Sequence, residues 1–352
     1  MKAKLQIRNF GPIINLDIEI RKFNILIGPH ASGKSTIAKV LSVIHSFDYV
    51  LFEANRKNEM ELFLLRPFLT YYKIEGYLKK NTYWFFEDEL FSFKLDGNLI
   101  EIKHKKSLED TTDQSESYYF PAERIALPMI SESLFELTLA QSTLPPYFLQ
   151  FGKDFTIARK NQKLFNIPIL NAEYKHTEGR NIVTLHKNNQ SLFLEETSSA
   201  IQANLPLLII LQYPVKKASL FVIEELELHG FPTLQKELLC YVIERMKHPK
   251  LNHAYVMLPT HSPYVLSVAN NLLFADKVAK QNNESAKEVG KIINENSWIS
   301  KNDFSAYYVE NGKANSILND QGLIDENKLD SISEDLAGEF DALMDLYKPA
   351  IA

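Results

Sequence analysis

The chain has 352 residues, 45% hydrophobic and 24% charged, which is ordinary globular composition with room for one large α/β domain or two small ones. A formal net charge of −5 gives no overall electrostatic case for nucleic-acid binding. The lone Cys240 lies in an apolar run, which excludes a disulfide framework and a thiolate zinc site.

The N-terminal stretch has no signal-peptide pattern, and apolar runs such as 205–211 are too short to span a bilayer. The expectation is a cytoplasmic chain with no membrane contact of its own.

Residues 3–10 and 13–20 flank Gly11-Pro12 and predict a hairpin feeding a buried strand at 23–27. Gly28-Pro29-His30-Ala31-Ser32-Gly33-Lys34-Ser35-Thr36 then fits G-x-x-x-x-G-K-[ST]. Its glycines let successive N–H groups face phosphate oxygens. Lys34 is spaced to reach the β- and γ-phosphates, and the Ser35 hydroxyl to sit on Mg²⁺. Residues 37–44 have helical spacing without a breaker, so a helix N-terminus adds to the anion site.

The aromatic-rich stretch 51–83 reads as broken helices and core packing rather than base stacking, because no Lys/Arg interleaving accompanies it. Asp96-Gly97-Asn98 marks a hairpin between 91–95 and 99–103. A polar connection leads to a short strand at 118–120 and then Pro121-Ala122-Glu123-Arg124. Residues 130–162 read as two helical pieces broken at Pro145-Pro146, without a sustained heptad. Asn188-Asn189 sits between two further strand signals, and a Thr/Ser capping cluster precedes an apolar helix at 200–211.

Residues 219–223 and 254–258 are fully apolar, as central parallel strands are. They end in Glu224-Glu225 and in Pro259-Thr260-His261-Ser262-Pro263, with an amphipathic helix expected at 232–248 between them. The tail reads as a polar linker at 280–288, a hairpin at Asn311-Gly312 and an acidic helix at 327–347.

Three apolar strands thus end in polar residues, and ligands of open α/β sheets sit at such carboxyl ends. Glu224 suits the hard-oxygen shell of Mg²⁺. Glu225 suits a residue that orients and polarises attacking water, and His261 a donor to the γ-phosphate.

The order of the P-loop, Ser198-Ser199-Ala200-Ile201-Gln202, Ile223-Glu224-Glu225-Leu226-Glu227-Leu228-His229 and Pro259-Thr260-His261-Ser262-Pro263 resembles ABC-type ATPases. The likeness is to the branch with SMC and RecF proteins and the OLD-like ATPases of bacterial defence systems. Ile7-Arg8-Asn9-Phe10-Gly11-Pro12 adds to it, and it covers residues 1 to about 275.

That resemblance implies an α/β, ABC-ATPase-like P-loop NTPase head with a mixed sheet, an antiparallel N-terminal β subdomain and a helical insertion. The head spans 1–275, with the insertion at 130–165, and an extension with a hairpin and an acidic helix occupies 276–352. It implies ATP and Mg²⁺ as cofactors and a homodimer in which Ser199 of one subunit faces the γ-phosphate held by the other. Glu227 falls where the family has a residue that communicates across the dimer, and Glu123-Arg124 near a sensor loop. The implied activity is ATP hydrolysis that drives a sensor or scaffold for a separate effector, a nuclease or toxin, in anti-phage defence. The alternatives are a DNA-repair or DNA-organising ATPase acting directly on DNA, and a transporter subunit. Ala200 stands where the signature has Gly, His30-Ala31 replace Asn-Gly, Pro259 replaces Thr, and the Pro after the acidic pair is missing.

Overall fold

The computed structural model describes residues 2–53, 60–105, 116–130, 144–214, 218–249, 251 and 253–325. The expected acidic helix at 327–347 lies outside them, as do parts of the 104–117 connection and of the 130–162 region.

In chain order the strands are β1 (Lys2–Phe10), β2 (Ile13–Arg21), β3 (Phe23–Ile27), β4 (Met60–Glu61), β5 (Tyr83–Glu87), β6 (Phe91–Asp96), β7 (Leu99–His104) and β8 (Glu116–Phe120). They continue as β9 (Phe165–Ile167), β10 (Ala172–Thr177), β11 (Arg180–Leu185), β12 (Gln190–Phe193), β13 (Ala218–Ile223), β14 (Tyr255–Pro259), β15 (Phe304–Glu310) and β16 (Lys313–Ser316). The helices are α1 (Lys34–Glu53), α2 (Arg66–Tyr71), α3 (Leu127–Ile130), α4 (Pro146–Ala158), α5 (Ser199–Gln212), α6 (Pro232–Met246), α7 (Pro263–Ala279) and α8 (Asn283–Ile292).

An antiparallel sheet runs β2-β1-β5-β6-β7-β4 and a central sheet β16-β15-β3-β14-β13-β8. In the central sheet β15, β3, β14, β13 and β8 are parallel, and only β16 is antiparallel. A small antiparallel sheet, β12-β11-β10-β9, completes the described strands. The fold is therefore the mixed α/β head with an antiparallel N-terminal sheet that the sequence predicts.

Each sheet follows its residue pattern. In β1, buried and exposed positions alternate, with Leu5 opposite Ile18 and Ile7 opposite Leu16 on the core face. By contrast β3 and β14 are buried at every position, as strands covered on both faces are. Helix α1 lies between the two large sheets. Its His45 ring centroid is 5.2 Å from Phe86 and 5.8 Å from Phe91 on one side, and 5.9 Å from Tyr255 on the other.

The hairpins expected at Gly97, Asn189 and Asn311-Gly312 form, each with positive φ at the turn. Two readings of the tail change. The 304–316 hairpin, set outside the 1–275 head from sequence, belongs to the central sheet, with Tyr308 opposite Ile27 beside the P-loop strand. The polar stretch read as a linker at 280–288 is largely helix α8. Asn282 caps it by accepting from the Ser285 N–H at 2.8 Å. Among the described residues no helix is long and apolar enough to cross a membrane.

Candidate nucleotide site

The loop between β3 and α1 turns back on itself through three positive φ values: Gly28 at 149°, Ala31 at 58° and Gly33 at 110°. The first α1 hydrogen bond runs from the Ile37 N–H to the Gly33 carbonyl at 2.9 Å. Both glycines are required by their surroundings. A Cβ on Gly28 would lie 2.2 Å from the Val309 carbonyl oxygen, and one on Gly33 would lie 2.4 Å from Ile13 Cδ1.

Lys34 folds over the loop, and its Nζ donates to the Gly28 and Pro29 carbonyls at 2.7 Å each. Burial pushes its pKa down to about 8, against the pull of the Glu225 and Glu227 charges. Pro29, His30 and Ala31 are exposed, as is Ser35, while Thr36 is buried. Ser32 Oγ is buried with no hydrogen-bond partner among the described residues.

Across the sheet, β13 ends in the acidic turn. Glu224 is buried, and the Ala122 N–H donates to its Oε2 at 3.4 Å. Glu225 adopts a left-handed φ of 46°, and its N–H donates to the Pro259 carbonyl at 2.9 Å. Burial raises the Glu225 pKa, and the charges of Glu227 and Glu224 raise it further. Arg124 and His30 act in the opposite sense. A carboxylate held this way is readier to take up a proton.

At the end of β14 the Thr260 N–H donates to the Leu26 carbonyl at 2.9 Å, which places His261 over the P-loop. The His261 ring stacks on His30 with centroids 4.1 Å apart. The His261 backbone N–H donates to Glu227 Oε1 at 2.7 Å. Burial, then Lys34 and His30, push the His261 pKa down to about 4, against a hydrogen bond with the Gly28 backbone. His261 is neutral near pH 7, so it offers one N–H and one lone pair.

The structure therefore brings together Gly28, His30, Gly33, Lys34, Glu225 and His261, with Glu224 buried beside them. It does not bring in Ser199. That residue is exposed at the start of α5, after Ser198 in extended backbone, and none of the described contacts links it to the loop.

Three features are beyond sequence reasoning: the His30–His261 stack, the Glu227 bond to the His261 N–H, and the set of carbonyls around Arg124. A strand followed by Pro-Ala-Glu-Arg marks Arg124 as a loop residue but says nothing of its partners.

The groups suit a magnesium nucleotide. Mg²⁺ prefers oxygen donors, takes one or two from protein, and completes its shell with phosphate and water. The exposed Ser35 hydroxyl and the Glu224 carboxylate are such donors. No cluster of three or more His, Cys, Asp or Glu able to hold a metal by itself occurs among the described residues.

No family model matches this chain, and no curated protein matches it. Among solved structures it is similar to the SMC head domain from Thermotoga maritima, at 12% identity and a TM-score of 0.42, over 90% of this chain and 98% of that one. It is also similar to an SmcHead bound to the C-winged helix domain of ScpA, at 11% and 0.41, over 89% and 96%. A third is an Smc head with an extended coiled coil bound to the C-terminal domain of ScpA derived from Pyrococcus furiosus, at 11% and 0.40, over 96% and 100%. Likeness at this level carries nothing about chemistry.

Proposed function

We propose that the chain is an ABC-type head that binds and hydrolyses Mg-ATP. The observation that supports this is the convergence of Lys34, Glu225 and His261 on one glycine loop at the carboxyl ends of β3, β13 and β14.

In this reading the 28–36 loop and the α1 N-terminus hold the triphosphate, and Lys34 exchanges its loop carbonyls for phosphate oxygens. Ser35 and Glu224 would hold Mg²⁺, which would supply charge neutralisation for the triphosphate. Glu225 orients and deprotonates water, and neutral His261 donates its N–H to the γ-phosphate. Ser199 completes the site from a second copy of the chain, where the α5 N-terminus favours an anion. ATP-driven dimerisation then acts as a switch for a separate effector protein, a nuclease or toxin, in anti-phage defence, as in OLD-like ATPases.

The test is phosphate release from Mg-ATP by the purified chain. Glu225→Gln should abolish turnover, retain ATP and accumulate as a dimer. Normal turnover by that variant would remove the base assignment.

A second reading, direct action on DNA, is favoured by the stretch 159–187. It holds six basic residues, Arg159, Lys160, Lys163, Lys175, Arg180 and Lys187, against Glu173 and Glu178. Duplex DNA in the same assay separates the two readings. Stimulation that falls steeply with salt supports DNA action, and no binding at moderate salt sinks it.

A further inference from the structure

Arg124 is fully buried in the 3₁₀ turn that follows β8, yet it forms no described hydrogen bond with a carboxylate. Its donors go to main-chain carbonyls instead. Nη1 donates to Glu224 at 2.6 Å and Pro121 at 3.2 Å, Nη2 to Glu225 at 2.7 Å, and Nε to Ala203 at 3.2 Å. One planar guanidinium thus joins the end of β8, the acidic turn after β13 and the interior of α5.

We propose that Arg124 is a positioning residue for Glu225, fixing the backbone of the acidic turn and tying it to α5. This rests on the ATPase reading above. Glu225 sits at a φ of 46°, which a residue with a side chain holds only when its surroundings dictate it. Three bonds hold it here: its N–H is held by the Pro259 carbonyl, and its own carbonyl accepts from Arg124 at 2.7 Å and from the Leu228 N–H at 2.9 Å. With both peptide planes set, the Cα–Cβ direction from which the carboxylate extends is set too.

The fork shape is essential. Arginine presents five donors in a fixed plane, so it spans the Glu224 and Glu225 carbonyls together, whereas lysine is a point donor on a flexible stem. Burial pushes the Arg124 pKa down to about 10, and the Glu227, Glu225 and Glu224 charges oppose this, so it stays charged at neutral pH. Burying a guanidinium is costly unless it is fully hydrogen-bonded.

The α5 end of the link is equally specific. Pro206 lies inside α5 and has no N–H to give the Gln202 carbonyl. At the next residue the Ala203 carbonyl takes Arg124. The same helix begins at the exposed Ser199, with Ser198 at its N-cap, and its Asn204 Nδ2 also donates to the Leu228 carbonyl at 3.3 Å, so contact made at the helix start reaches the Glu225 backbone through Arg124 and the turn through Asn204.

The experiment compares wild type, Glu225→Gln, Arg124→Lys and Arg124→Met for kcat, KM for ATP and melting temperature. Misplacing a catalytic group by about 1 Å costs about 10²-fold in rate. Arg124→Lys should lose that much in kcat with KM for ATP unchanged and a cooperative melt retained at a temperature lowered by the orphaned carbonyls, and Arg124→Met at least as much. An active wild type with a dead Glu225→Gln and a fully active Arg124→Lys overturns the positioning role alone. If both Arg124 variants fail to fold, Arg124 is a strut of the core and the role falls. A wild type without turnover, or an active Glu225→Gln, fails the ATPase reading and takes this inference with it.

Discussion

Glu227 Oε1 accepts the backbone N–H of His261 at 2.7 Å, so one carboxylate joins the turn after β13 to the end of β14. The same carboxylate raises the pKa of Glu225, after the larger effect of burial. The two effects separate by substitution. Glu227→Gln keeps an acceptor for His261 and removes the charge. The Glu225 pKa then falls, and the acid limb of the turnover–pH profile moves to lower pH. Glu227→Ala removes the acceptor as well and should lower kcat beyond the Gln variant. An acid limb unmoved in Glu227→Gln would dissociate Glu225 from that limb.

His45 is fully buried between the sheets, with Nδ1 on Ser219 Oγ at 3.0 Å and Nε2 without a described partner. Burial pushes its pKa from 6.5 down to about 3. The neutral ring is therefore the folded form. Its contribution is fully present above pH 6.5, where the unfolded chain is neutral too. It is lost as pH falls toward 3, because the unfolded state takes up a proton that the folded state refuses. The slope is about 1.4 kcal/mol per pH unit for one proton. Denaturant unfolding between pH 7 and 4.5 should show this slope in wild type and a shallower one in His45→Phe. Equal slopes would remove His45 from acid unfolding.

The two P-loop glycines differ in what opposes a side chain. At Gly28 the obstacle is the Val309 carbonyl oxygen of β15, part of the sheet itself. At Gly33 it is the Cδ1 end of Ile13, which a rotamer change moves aside. Both alanine variants also incur the positive-φ penalty, about 1–3 kcal/mol for such regions. Gly28→Ala should therefore lower the melting temperature more than Gly33→Ala. Gly33→Ala in the background of Ile13→Val should recover part of its loss, and Gly28→Ala should recover none.

The Gly28–Val309 contact also marks where sequence reasoning stops. Hairpin turns are legible because Asn311-Gly312 and Gly97 encode their own positive φ. Likewise β3, β13 and β14 are legible because a strand covered on both faces is apolar throughout. The seat of β15 beside β3 depends on pairing across nearly the whole chain, and no local residue names the neighbour. Helix α8 is hidden by its polarity, with only the Asn282 cap to announce it. Within the candidate site, strand ends point to Lys34, Glu224, Glu225 and His261. The resemblance sets Glu123-Arg124 near a sensor loop, but the bonds of Arg124 are not legible, because its partners are carbonyls that every residue possesses.

Asn24 is the second residue of β3, fully buried, where a central strand ordinarily carries an apolar residue. Its amide is fully occupied. Oδ1 accepts from the Arg21 N–H and the Ser305 hydroxyl at 2.7 Å each. Nδ2 donates to the Arg21 carbonyl at 2.6 Å and the Val256 carbonyl at 2.8 Å. It thus stitches β3 to both neighbours, β14 and β15, at the level where the P-loop strand enters the sheet. Asn24→Leu is close in size but strips partners from two donors, the Arg21 N–H and the buried Ser305 hydroxyl, and from the Arg21 and Val256 carbonyls. Each orphaned group costs about 1–3 kcal/mol. Ser305→Ala removes one donor and leaves Asn24 bonded to Arg21 and Val256, so its cost should be near 1 kcal/mol. Midpoints of denaturant unfolding compare the two. If Asn24→Leu were no worse than Ser305→Ala, apolar packing would outweigh the amide network in this strand.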